Sequence, residues 1–155
     1  MNIGIIVYSQ TGNTLSVAEK LKAELDKAGH SVTLEQVTVV GGREQGDRSF
    51  QLEETPEPGG YDAVVFGSYV EAFSLTPVFS RYLKHIGSLQ GKRVACLITQ
   101  QFPYPWLGGN RAIRQMRKLC ESKGASIRGT AIVNWAQSRR ERTTSDAVER
   151  LARLF

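Results

Sequence analysis

Three short runs of the chain are apolar throughout: Ile3-Gly4-Ile5-Ile6-Val7, Ala63-Val64-Val65-Phe66-Gly67 and Val94-Ala95-Cys96-Leu97-Ile98. A strand with one wetted face alternates polar and apolar residues, so a run without alternation reads as a strand buried on both faces. Burial of that kind needs a layer above and a layer below, and in 155 residues the connections themselves have to supply both. The stretches between the runs have the required pattern. Ala18, Leu21, Leu25 and Ala28 recur at helical spacing opposite Glu19, Lys20, Lys22, Glu24, Asp26 and Lys27, and Gly29 ends the helix. Thr76-Pro77 opens a second helix, with Pro at its favoured first position, Val78, Phe79, Tyr82, Leu83 and Ile86 on one stripe, and Gly87 at its end. A third carries Ala112, Ile113, Met116, Leu119 and Cys120 inward and Arg111, Arg114, Arg117 and Lys118 outward, up to Gly124. Thr143-x-x-Asp146 reads as a capping box before Val148, Leu151 and Leu154.

Two further stretches, Ser31 to Val37 and Ile127 to Val133, are strands of mixed polarity. Five strands alternating with helices, joined by right-handed crossovers, require a parallel sheet with helices on both faces: an α/β three-layer sandwich. The apolar first, third and fourth strands belong inside and the mixed second and fifth at the edges, which the order 2-1-3-4-5 satisfies. A single domain spanning residues 1–155 is expected. The weak place is Thr38 to Gly60, where Gly, Pro, Arg and Glu interrupt any helical pattern. A solvated, mobile connection is expected there, with Phe50 and Leu52 starting a short strand or a turn of helix and Thr55 to Gly60 forming turns.

The longest apolar run near the N-terminus is five residues and lacks a basic preface, so neither a secretory signal nor a spanning helix is expected, and the location expected is cytoplasmic. Cys96 and Cys120 read as small buried hydrophobes, and His30 and His85 as solvated or capping residues near helix ends; no metal site can be assembled from them. The net charge of +5 predicts attraction to acidic proteins, nucleotides or anionic surfaces at low salt.

The first apolar run closes on Tyr8-Ser9-Gln10-Thr11-Gly12-Asn13-Thr14, immediately before the first helical pattern. Hydroxyls at Ser9, Thr11 and Thr14, the Asn13 amide, and a glycine that lets the backbone turn its N–H groups outward make a strand-to-helix turn suited to an anion. The partial positive charge of a helix N-terminus lets a phosphate sit there without Lys or Arg. A capped tight turn with no ligand would have the same sequence. Other phosphate and nucleophile patterns are missing: there is no Gly-Lys-Ser/Thr, no Arg after five residues from either Cys, and no acidic pair closing the first strand.

The spacing Ser-x-Thr-Gly-x-Thr directly after an N-terminal strand resembles the phosphate loop of the flavodoxin family, whose ligand is flavin mononucleotide (FMN). The resemblance extends over nearly the whole chain, because that family shares the strand order and flanks its flavin with aromatic-bearing loops after the third and fourth strands. It implies that Ser9, Gln10, Thr11, Gly12, Asn13 and Thr14 hold phosphate. Ser68, Tyr69, Val70 and Phe73 would lie on one side of the ring, and Thr99, Gln100, Gln101, Phe102 and Tyr104 on the other. Gly108 and Gly109 resemble the glycine-rich start of the fourth helix in some flavin-dependent relatives. The chain departs from the family in being basic, where electron-carrier flavodoxins are strongly acidic, and in having Tyr69 or Phe73 in place of the usual Trp. Which aromatic stacks is open, and Trp106 reads equally as a wall or as loop packing.

The function implied is an FMN-binding redox protein that passes electrons to or from a protein partner. An NAD(P)H-dependent reductase of quinones or similar small acceptors is the alternative, and a flavin-free binding module using its basic surface a second one. The partner expected is an acidic redox protein docking near Arg111, Arg114, Arg139, Arg140 and Arg142, with the phosphates of NADPH as the other candidate for those arginines. No nucleic acid or membrane partner is expected.

Overall fold

The computed structural model describes residues 1–101, 108–135 and 140–155. Its strands are β1 (Asn2–Val7), β2 (Ser31–Gln36), β3 (Ala63–Glu71), β4 (Ser74–Leu75), β5 (Arg93–Gln100) and β6 (Ser126–Asn134). Its helices are α1 (Asn13–Lys27), α2 (Pro77–His85), α3 (Gly109–Ser122) and α4 (Arg140–Ala152). The sheet runs β2-β1-β3-β5-β6 with every neighbouring pair parallel, which is the expected order once the two-residue β4, antiparallel to β3, is set aside.

Both faces of the inner strands are covered. Ile3, Ile5 and Val7 of β1, with Val65 and Leu97, pack against α1 and α4 through Val17, Leu21, Leu25, Val148 and Leu151. Ile6, Val64, Phe66, Cys96 and Ile98 face the other way, onto Phe79, Tyr82 and Leu83 of α2 and Ile113 and Met116 of α3. On α1 the buried stripe includes Val17, while Ala28 lies just past the helix and is exposed. Cys96 and Cys120 are buried free thiols, as expected. The hydrogen bond its S–H makes to Cys96 and burial both push the Cys120 thiol's pKa up, which keeps it inert.

Three expectations need correction. Residues 68 to 74 are not a loop: β3 continues to Glu71 and folds back through Ala72 (φ 50°) and Phe73 (φ 62°) into β4. A two-residue hairpin turn with both residues left-handed matches strand twist but ordinarily uses Asn-Gly, so Ala-Phe gave no signal. Thr143 does not begin its helix, because α4 starts three residues earlier. Its hydroxyl instead accepts from Asn134 N at 3.1 Å and contacts Asn134 O at 3.2 Å, tying α4 to the end of β6.

The third correction concerns the connection from β2 to β3, which is not simply a solvated strap. Val37 and Val39 are buried, Phe50 and Leu52 pack beside them on the α2–α3 face, and Val39 bridges Leu52 antiparallel. Backbone bonds Val40 N to Gln51 O (2.9 Å), Glu53 N to Thr38 O (2.8 Å) and Thr38 N to Glu54 O (3.2 Å) complete this small ladder. Apolar side chains at alternate positions of two short extended stretches thus supply the cover a helix would give. The segment is pinned by a charge pair. Arg43 Nη1 and Nη2 donate to Glu71 Oε1 and Oε2 at 2.8 and 2.7 Å, with side chains only 0% and 5% exposed. Arg43 Nε also donates to Asp47 O (2.8 Å), and Gly46 N to Glu71 Oε2 (3.3 Å). The guanidiniums of Arg43 and Arg81 lie 5.4 and 4.0 Å from the Phe50 ring centroid, so the loop is also clamped to α2. Among the described residues, no helix is long and apolar enough to cross a membrane.

The hydrogen-bonded guanidinium holds the Glu71 carboxyl below its usual range against the opposing effect of burial. Such a group contributes stability above the unfolded carboxyl pKa of about 4.3 and loses it as pH falls through its depressed folded value. Glu71→Gln leaves Arg43 buried without its counter-charge, at about 3 to 5 kcal/mol near neutral pH. Urea unfolding at pH 7 and pH 3 should show the gap between parent and variant narrowing in acid; an equal gap at both would contradict this account.

Candidate functional site

The carboxyl ends of β1, β3 and β5 open onto a cleft, and the turn after β1 forms one end of it. Tyr8 N bonds Gly67 O at 3.0 Å, and the chain then reverses at Gly12, whose φ of 91° suits glycine. Ser9 Oγ accepts from Gly12 N (3.1 Å) and Leu15 N (3.3 Å), so two backbone donors converge on a single oxygen. Gly12 caps α1 without a side-chain hydrogen bond, and the first turn of a helix has N–H groups that its own ladder cannot satisfy. Thr11 and Gly12 are exposed, Asn13 is half-buried and Thr14 is buried. Thr14 Oγ1 lies 2.8 Å from Thr99 Oγ1, linking the turn to β5. Two hydroxyls share one proton in that bond, so a second proton is left to donate elsewhere. Gly67 lets β3 pass beneath, since a Cβ there would lie 2.8 Å from Val7 Cγ1 and 3.4 Å from Thr14 Cγ2.

The other end of the cleft is built from β3 and β5. Tyr69 stacks on Tyr8 with centroids 5.7 Å apart and planes at 29°. Its hydroxyl donates to Gln10 Oε1 (2.7 Å), and Gln10 Nε2 donates to Arg43 O (2.7 Å), joining β3, the first turn and the β2–β3 segment. Burial pushes the Tyr69 phenol well above its ordinary pKa, so it stays a protonated donor. Val70 lines the same cleft, as do Thr99, Gln100 and Gln101 at the end of the neighbouring strand β5, where Thr99 is the register partner of Tyr69. Gln100 Nε2 donates to Asn134 Oδ1 at 2.6 Å, which fixes the amide from β6.

Not every predicted residue has a place on the wall. Ser68 is fully buried and does not line the cleft. Phe73, half-exposed at the hairpin tip, lines an adjoining hollow with Gln45, Val70, Ala72 and Gln101. Gly108 and Gly109 serve close packing: a Cβ on Gly108 would lie 2.8 Å from Phe73 Cα, and one on Gly109 2.4 Å from Gln100 Oε1. They bring the start of α3 against the hairpin and the Gln100 amide. Phe102, Tyr104 and Trp106 lie outside the described residues, as does Arg139. Arg111, Arg114, Arg140 and Arg142 are exposed on α3 and α4, near the helix starts at this end of the sheet. Arg140 also stacks 4.9 Å over Trp135.

Sequence reasoning missed Tyr8, Arg43 and Gln45. Tyr8 looked like a strand end, and the other two fall where the pattern carries no periodicity. The assembled cleft joins a helix N-terminus able to meet an anion with a lining that includes Tyr69, Val70 and the amides of Gln100 and Gln101. Among the described residues, no group of three His, Cys, Asp or Glu side chains could hold a metal ion.

No protein-family profile matches this chain, and no curated protein matches it in sequence. Solved structures do. Oxidised flavodoxin 2 from Bacillus cereus superposes with a TM-score of 0.70 at 23% identity, over 100% of both chains. The flavodoxin of Streptococcus pneumoniae TIGR4 gives 0.67 at 18% identity over 99% of both. A flavoprotein from Lactobacillus acidophilus NCFM, solved in complex with FMN, gives 0.63 at 17%, over 94% of this chain and 97% of its own. At these identities the likeness is one of architecture, and it agrees with the strand order and layers described above: this chain has the flavodoxin-like fold.

Proposed function

We propose that this protein binds FMN and passes electrons to or from a protein partner. The observation that carries the reading is the meeting, in one cleft, of three stretches far apart in sequence: Gln10 to Thr14, Tyr69 with Val70, and Thr99 to Gln101. The similar Lactobacillus flavoprotein holds FMN, which supports the same ligand here. The donor set fits: a phosphate monoester would take the N–H groups of Asn13 and Thr14, which Ser9 does not engage, and the Thr11 hydroxyl, with the Thr14–Thr99 pair beside it. Tyr69 and Val70 on one side and Gln100 and Gln101 on the other would hold and orient a flat ring whose edge carries polar groups. Bound FMN would supply the redox chemistry that the side chains lack.

Calorimetric titration should show FMN bound more tightly than riboflavin, and Thr11→Val should remove about 1.5 to 3 kcal/mol from FMN binding alone. Equal affinity for the two ligands would sink the phosphate assignment. A second outcome concerns the reduced flavin, which carries negative charge. Glu71 is the acidic side chain of the ring loops, and Arg43 neutralises it, so the midpoint potential should be less negative than in an acidic flavodoxin. Spectroelectrochemistry giving a value as low as theirs would contradict this.

The partner we infer is an acidic redox protein that docks on Arg111, Arg114, Arg140 and Arg142. Diffuse steering makes association fast and salt-sensitive, whereas capture of a nucleotide phosphate would be a local, bidentate contact. In stopped flow, reduction of the bound flavin by an acidic reductase should slow steeply as salt rises, and Arg111→Glu with Arg114→Glu should flatten that slope. Rapid reduction by NADPH alone would make the protein an NAD(P)H-dependent oxidoreductase instead.

A further inference from the structure

The segment between β2 and β3 does more than cover the sheet. We propose that its residues 43–46 form a third wall of the cleft and that Gln45 is a specificity-determining residue gripping the ring end of the bound flavin; the proposal rests on the FMN reading above. Gln45 lines both the main cleft and the hollow beside it, and in each it stands with Val70 and Gln101. The turn residues Gln10, Thr11, Asn13 and Thr14 line the main cleft alone. Gln45 therefore belongs to the end away from the phosphate turn. Its side chain is exposed, while its neighbours are fixed on either side by the same carboxylate: Arg43 through two hydrogen bonds and Gly46 through its N–H. Gln10 holds the Arg43 carbonyl from the phosphate turn as well.

Ordering a loop when a ligand arrives consumes binding energy, and the bonds of Arg43 and Gly46 to Glu71 hold this loop through the chain's own contacts. A carboxamide presents one donor group and one acceptor. That matches the pyrimidine edge of an isoalloxazine, which alternates C=O and N–H, and an alkyl side chain cannot replace it. Arg43 and Glu71 are on this account positioning residues, acting on the ligand through Gln45.

The test is titration of the whole chain with FMN and with riboflavin, read by flavin fluorescence, alongside the melting temperature of the flavin-free protein. Gln45→Ala should weaken both ligands by the same factor, about tenfold for a lost amide contact, with melting unchanged. Gly46→Ala strains a backbone at φ 89° while leaving both side chains of the ion pair in place; it should weaken both ligands in the parent but add little on top of Gln45→Ala. Glu71→Gln, where it folds, should behave as Gly46→Ala does. Parent-like binding by Gln45→Ala overturns this proposal alone, as does a loss confined to FMN or full additivity of the two substitutions. A parent that binds neither flavin overturns the FMN reading and this proposal together.

Discussion

A parallel sheet buried on both faces leaves its connections no choice of side. The step from β1 to β2 moves one way along the sheet, and the step from β2 to β3 returns across it. With right-handed crossovers, α1 therefore lies on one face and the β2–β3 segment, α2 and α3 on the other, while α4 comes back beside α1. The reversal between β1 and β3 sends their outgoing chains to opposite faces, and a crevice is left at the carboxyl ends. The cleft between the Thr14 turn and the Tyr69 wall is thus a consequence of topology. Side chains only decide what fits it.

Electrostatically, the site differs from the surface around it. The chain carries a net charge of +5, and exposed arginines stand on α3 and α4, yet the charged pair beside the cleft, Arg43 and Glu71, cancels. A ligand's phosphate would meet backbone N–H groups rather than a fixed cation, so its affinity would depend on turn geometry more than on ionic strength. The rim would respond to salt in the opposite way. On the proposed reading, ligand binding and partner recognition would in this sense be separated by physics as well as by position.

Much of this was legible in the chain. Unbroken apolar runs identified β1, β3 and β5 as interior strands, because burial on two faces leaves a pattern that partial exposure does not. Hydroxyls flanking Gly12 marked the turn, since chemistry and backbone requirement coincide there. What escaped depends on contacts distant in sequence or on geometry without a residue signature. Arg43 and Glu71 are 28 positions apart, and each alone reads as a solvated charge. The hairpin at Ala72-Phe73 adopts left-handed backbone with residues that seldom signal it. Thr143 carried a capping pattern but bonds across to Asn134 instead. Gly108 and Gly109 stand out in the sequence only through resemblance, whereas their physical reason is the approach of α3 to Phe73 and Gln100.

The segment that replaces a helix on the α2–α3 face also changes how that face can open. A helix resists opening through a ladder of bonds each of which supports the next, whereas this segment depends on a three-bond ladder around Val39 and Leu52, an ion pair and an aromatic clamp. Local stability in proteins is lowest where few such bonds act together, and a unit of that kind opens as a whole. Because Gln45 of the same unit lines the cleft, opening of the unit would widen the cleft, and on the proposed reading that opening would admit the ligand. Amide exchange across residues 38–54 would then be a clock for ligand entry, running without global unfolding and slowing when the cleft fills.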